Sequence, residues 1–243
     1  MNPPPPAGER LPGKYFHFMH KDFSMRTVVV VHTGPATIQP IKQQFQQILP
    51  DVRVVNLMDD SLLNDVMAAG HLTEAVTGRI ITYMQVGQQM GADVLLNACS
   101  SVGEAAGVAR AAISIPVIKI DDVMAERAVA AGTKIGVVAT VRTTLDPTVR
   151  LIKSKAAAAG RSIEVKEALA EGGFQALLDG NSELHDDIVK RTIQSLSDKV
   201  DVIVLAQVSM ARLIPLLADL KVPVLSSPQS GVEAVREALA RLG

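Results

Sequence analysis

The segment Thr27–Thr33, TVVVVHT, is an unbroken apolar run of strand length that closes on a threonine, and residues 134–140, KIGVVAT, write it again. Thr33 and Thr140 lie 107 positions apart, and so do Pro40 and Pro147 downstream of them. Later segments keep step. Asp93 of DVLLNACSS and Asp201 of DVIVLAQVS are separated by 108 positions, and Val117 of IPVI and Val224 of VPVL by 107. VMAERAVAAG, from Val123, echoes VEAVREALARLG, from Val232. A period of this length is domain-sized and too long for a solenoid unit, so the chain is expected to form two similar lobes related by a pseudo-twofold axis.

Working outward, further apolar runs (VRVVNL, IPVIKI, IEVKEA, VPVLSS) alternate with longer segments of helical period. The helical segments are Pro40–Leu49, about 61–90, Val102–Ala112, Val123–Ala131, Pro147–Ala159, Ser182–Ser197, Ala211–Leu220 and Gly231–Leu242. Alternation of this kind predicts an α/β fold, two similar lobes with parallel sheets flanked by helices. The expected division is a flexible N-terminal extension over 1–25, a first lobe of 26–120 plus 226–243, and a second lobe of 121–225. The proline run and mixed charge of the first 25 residues read as neither a signal peptide nor an anchor, and Met25 is a candidate alternative start.

Composition narrows the function classes. With 24 Lys and Arg against 25 Asp and Glu, and no basic block, nothing points to nucleic acid or to an anionic membrane surface. Apolar runs are short and interrupted by charge, as at Arg212, so no membrane span is expected. One cysteine and five scattered histidines offer neither a disulfide nor a metal-site spacing, and a reducing cytoplasm suits the chain best. Neither the dinucleotide nor the phosphate-loop glycine pattern follows a strand, and no nucleophile elbow is present.

Ligands of open parallel sheets sit outside the carboxyl ends of the strands, so two facing lobes place their strand-end loops around one cleft. The repeat names its residues: Thr33 with Gly34 and Thr140 with Thr143 and Thr144 after the first strands, and Cys99 to Ser101 facing Gln207, Val208 and Ser209 after the later ones. Free cysteine is commonly a small buried hydrophobe. At a helix start, however, unpaired N–H groups and the helix dipole favour the thiolate. Ser100 and Ser101 are candidate caps and carboxylate donors. Asn97 either orients that ligand or closes a turn. A threonine after a strand is often only a cap, but two repeat-related groups of them supply the neutral donors that a small carboxylate needs. His32 is a candidate contact, although a histidine after a strand is more often structural. Arg142 reads as a solvated loop residue, His185 and Tyr83 as packing or surface residues. Glu104 either complements the helix dipole or, facing the cleft, raises the thiol pKa.

The two-lobe repeat, NACSS ending a strand, KIGVVATVRTTLDP and DVIVLAQVSMA together resemble the aspartate/glutamate racemase superfamily, from about Thr27 to the C-terminus. The resemblance implies cofactor-independent chemistry on a small carboxylate, with Cys99 as the thiol of the first half. It also implies carboxylate binding by Ser100, Ser101, Thr33 and the Thr140–Thr144 loop, and a homodimer or higher homo-oligomer. One departure matters: where the family's racemases carry a second cysteine, this chain has Gln207, which cannot serve as a general acid or base near neutrality. The family's glutamate racemases also carry an aspartate and a histidine where this chain has His32 and Ser209 to Met210, so glutamate specificity is not expected. Three uses of a one-thiol cleft follow. The leading one is an isomerase in which Cys99 moves the proton next to a carboxylate, His32 or a water serves the other face, and Gln207 hydrogen-bonds the enolate. The others are a one-cysteine decarboxylase of a malonate-like acid and a carboxylate-binding protein without turnover.

Overall fold

A computed structural model describes residues 25–243; all but Met25 of the N-terminal extension expected over 1–25 lies outside the described residues. The first sheet is built from β1 (Thr27–His32), β2 (Arg53–Met58), β3 (Val94–Asn97) and β4 (Val117–Lys119), the second from β5 (Lys134–Ala139), β6 (Glu164–Leu169), β7 (Val202–Leu205) and β8 (Val224–Ser226). Both are wholly parallel and share one order, β2-β1-β3-β4 and β6-β5-β7-β8. The central strands read as continuous Val, Ile and Leu because helices cover both faces.

The helices are α1 (Ile38–Ile48), α2 (Ser61–Ala69), α3 (Glu74–Gln89), α4 (Gly103–Ala109), α5 (Asp122–Ala131), α6 (Arg142–Ala158), α7 (Gly173–Leu178), α8 (Ser182–Ser197) and α9 (Ser227–Ala240). Several depart from expectation for local reasons. The segment 61–90 is two helices, because Gly70 ends α2 with φ +74° and Thr73 starts α3 by accepting the Val76 N–H. α6 starts at Arg142, five residues before Pro147, so Pro147 sits inside the helix and Thr143 and Thr144 occupy its first turn rather than a loop. Residues 208–217 form a 3-10 helix where an α-helix was expected three residues later. α7 had no sequence counterpart; it is six residues long, between Gly172 at φ +78° and Gly180 at φ +75°.

The repeated aspartates have one job in both lobes. Asp93 Oδ2 accepts the Thr27 N–H at 2.7 Å, and Asp201 Oδ2 accepts those of Thr133 and Lys134 at 2.8 Å each. Each carboxylate thus clamps the start of the central strand beside its own, satisfying backbone donors that the ladder leaves free. The Lys134 and Thr133 N–H groups hold the Asp201 pKa below the usual carboxylate range.

α9 returns from the second sheet to the first. Val232, Val235, Ala238 and Leu239 pack in one core with Val28, Val30, Ile41 and Phe45. Each buried valine, leucine, isoleucine or phenylalanine among them contributes about 1.5–3 kcal/mol. The approach depends on Gly231, where a Cβ would meet Ile120 Cγ1 at 2.5 Å and the Ile120 carbonyl oxygen at 2.9 Å. The second contact is backbone and cannot swing aside. Gly231→Val is therefore expected to cost about 2–3 kcal/mol, seen as a fall in Tm of about 4–12 °C by calorimetry. An unchanged Tm would mean that α9 does not dock as described.

Candidate active site

A cavity of about 450 Å³ lies between the carboxyl ends of the two sheets. The first lobe contributes Thr33, Gly34 and Cys99 to Ser101; the second contributes Thr144 and Gln207 to Ser209. Cys99 and Gln207 thus face one space from the ends of β3 and β7, as the repeat requires. The lobes also join there directly, Ser101 Oγ and Thr144 Oγ1 lying 2.7 Å apart in a buried hydrogen bond.

Cys99 is partly exposed and precedes the 3-10 turn Ser100–Val102. Burial raises its pKa above the ordinary thiol value, and hydrogen bonds from the Thr33 hydroxyl, the Ser101 N–H and hydroxyl and the Val102 N–H offset only part of that. The expectation of a lowered thiol pKa is therefore corrected: desolvation outweighs the donors of one short turn. Asn97 is fully buried, its Nδ2 donating to the Cys99 carbonyl at 2.8 Å. It does not line the cavity; it closes the turn.

Gln207 is fixed by its oxygen. Oε1 accepts the Thr140 N–H at 2.6 Å and the Thr140 hydroxyl at 2.9 Å. A backbone N–H only donates, so the atom it meets must be the carboxamide oxygen, and the NH2 is left as the donor on the cavity side. Thr140 thus positions Gln207 rather than lining the cavity itself. Thr143 does not line it either.

His32 is corrected as a substrate contact. It is fully buried, with Nδ1 2.7 Å from Thr37 Oγ1 and Nε2 2.9 Å from Asn56 Oδ1. Burial lowers its pKa, partly opposed by Asn56. In β1 it follows Val28 and Val30 at intervals of two, so it points into the layer containing α1 and α9. Glu104 does not face the thiol: Arg150 Nε reaches its Oε1 at 2.7 Å. Arg142 is exposed near Asp146 and Glu167. His185 is buried with Nδ1 against Asp186 and Arg212.

Sequence reasoning missed the walls. Asp60, Leu63 and Asn64 come from the start of α2, and Phe174, Leu177 and Leu178 from α7. These are the segments after β2 and β6, equivalent strands of the two sheets, so extending the strand-end rule to the flanking strands would have found them. The cavity is therefore polar at Cys99, apolar along two sides and acidic at its mouth, where Asp60 is exposed. No Lys, Arg or His lines it among the described residues.

α2 is braced from outside by a charged cluster. Tyr83 Oη donates to Asp59 at 2.6 Å, Ser61 Oγ does so at 2.7 Å, and Arg79 pairs with both Asp59 and Asp65. Burial works against the Asp59 charge, but the hydrogen bonds from Tyr83, Ser61 and Arg79 outweigh it and hold the pKa at about 2. A folded pKa below the unfolded value gives stability that is present above the unfolded pKa and is lost as pH falls through the folded one. Asp59→Ala is expected to lower Tm by about 2–4 °C at pH 7, equivalent to about 1 kcal/mol because solvent screens the half-exposed Arg79. The difference from the parent should shrink toward zero as melts are taken from pH 5 down to pH 2. A constant difference would show that the charge is not what holds α2.

Residues 27–235 match the family model described as Asp/Glu/Hydantoin racemase. No curated protein matches the chain by sequence. Among solved structures, the glutamate racemase of Bacillus anthracis aligns with a TM-score of 0.71 at 19% identity, covering 90% of this chain and 83% of that one. The aspartate racemase of Picrophilus torridus gives 0.68 at 16%, covering 88% and 94%. The allantoin racemase of Klebsiella pneumoniae gives 0.68 at 19%, covering 89% and 88%. At these identities the likeness is one of fold.

Proposed function

Because the chain belongs to the Asp/Glu/hydantoin racemase family, we propose that it is a cofactor-independent isomerase that moves a proton at the carbon next to a carboxylate, with Cys99 as the only thiol involved. The observation that carries this reading is that Cys99 and Gln207, from opposite lobes, line one cavity in which the donors are neutral. The substrate carboxylate sits on Thr33, Ser100, Ser101 and Ser209. The Cys99 thiolate takes the α-proton and becomes a thiol. The electron pair moves into the carboxylate to give an enediolate, which the Gln207 NH2 stabilises as charge develops. A water on the Gln207 side returns a proton to the opposite face, and the thiol passes its own proton to solvent, so protons balance. The apolar walls from Leu63, Phe174 and Leu177 receive an apolar substituent, and Asp60 at the mouth disfavours a second carboxylate.

One observation favours a second reading. A thiol whose pKa is raised by burial is the readier donor to the carbanion left when carbon dioxide departs, which describes a decarboxylase of a malonate-like acid. The cavity's lack of a cationic side chain and the carboxylate of Asp60 weigh against a dianionic substrate. The deciding experiment is incubation of single enantiomers of amino acids, hydroxy acids, hydantoins and substituted malonates in deuterium oxide, followed by NMR. Deuterium at the α-carbon with loss of enantiomeric purity supports isomerisation. Carbon dioxide release supports the second reading, and saturable binding without exchange overturns both.

A further inference from the structure

A second cavity, of about 240 Å³, lies behind the Cys99 turn between the first lobe and α6. It is lined by Ser100, Gly103, Lys119 and Asp121 on one side and by Arg150 and Ser154 on the other. Asp121 is 2% exposed, and its Oδ1 has no hydrogen-bond partner. Burying a carboxyl oxygen without a donor is costly. Burial raises the Asp121 pKa, with the Lys119 charge and the Ser100 hydroxyl opposing it. Lys119 stands opposite. A Cβ on residue 103 would lie 3.0 Å from Lys119 Cε, 3.7 Å from its Nζ and 3.9 Å from Asp121 Oδ2, yet the two side chains do not pair with each other. Lys119 instead makes a long 3.5 Å contact with Asp122, which Arg110 and Lys155 also hold. The space above Gly103 thus separates a weakly paired ammonium from a buried carboxyl group with one oxygen unsatisfied.

We propose that this second cavity binds a small zwitterion, an α-amino acid of about the size of glycine or alanine, with its ammonium group on Asp121 and its carboxylate on Lys119. A simple cation would be repelled by Lys119, and a simple anion by Asp121 and by Glu104, which Arg150 holds at the rim. A zwitterion answers both charges at once, and the gap above Gly103 is short enough for a single α-amino acid to span from Asp121 to Lys119. Gly103 makes the room, since its backbone is right-handed helical (φ −61°, ψ −35°) and an alanine would fit the chain while filling the gap. The site is separate from the Cys99 cavity, although Ser100 borders both.

Calorimetric titration of the full chain with glycine, methylamine and acetate tests this. Glycine is expected to bind saturably, with methylamine and acetate at least about ten-fold weaker. Asp121→Asn is isosteric, and it and Gly103→Ala should each raise the glycine Kd at least about ten-fold. Gln207→Glu, in the other cavity, should change it less than about two-fold. Melting midpoints of the variants check folding; should Gly103→Ala be unfolded, Asp121→Asn decides alone. Absence of saturable glycine binding, acetate binding as tight as glycine, or loss of binding in Gln207→Glu but not in Asp121→Asn would each overturn the proposal. Because the readout is heat of binding, it stands or falls independently of any turnover at Cys99.

Discussion

Replacement of Cys99 by serine is expected to lower α-deuterium exchange by about 10²–10⁴-fold, the span that a positioned general base supplies. Serine keeps the size and the hydrogen bonds of the site but holds its proton far more tightly than a thiol, so a substrate that binds will persist unexchanged. In the parent, exchange should climb with pH through neutrality, because the active form is the thiolate and burial has moved that ionisation upward from the usual thiol value. The direction discriminates between the two readings. A thiol acting only as donor after carbon dioxide leaves gives a rate flat at neutral pH that declines once the thiol ionises. Exchange that survives in Cys99→Ser, measured by NMR under the same conditions, would remove Cys99 from the mechanism.

Gln207→Glu is expected to lower kcat by about 10²–10³-fold, the cost of losing one preorganised oxyanion donor, and to raise KM, because the new carboxylate also faces that of the substrate. The substitution is chosen for what it keeps. A carboxylate oxygen accepts the Thr140 N–H and hydroxyl as the carboxamide does, so the side chain stays in place and Tm should hold. What disappears is the NH2, replaced by an oxygen that repels the enediolate. Loss of activity together with a large drop in Tm would mean that Gln207 is structural; unchanged kcat would mean that it does not face the developing charge.

Much of the architecture could be read from the chain because the duplication left the same residue doing the same work twice. Asp93 and Asp201 were visible as a spacing, and the structure explains that spacing as a pair of clamps on β1 and β5. Cys99 and Gln207 were brought together by the same logic. His32 was misplaced because a histidine near a strand end was weighed by its chemistry, when the two-residue alternation of TVVVVH already turned it toward α1. The cavity walls were not legible for a different reason. α7 is too short for a 3.6-residue period to register, and Leu63 belongs to a helix whose Leu62 and Val66 face the core, so its cavity-facing role emerges only when two lobes meet.

The path of α9 bears on how the protein is born. Its apolar face completes the core that holds Val28, Val30 and Phe45, but it is synthesised only after both sheets are written. On the ribosome the usual order, in which the N-terminal unit folds first, is therefore inverted for the last step. Both sheets have all their strands in hand while one flank of the first is still uncovered, and a chain ending before Ser227 would leave Val28, Val30 and Phe45 without that cover.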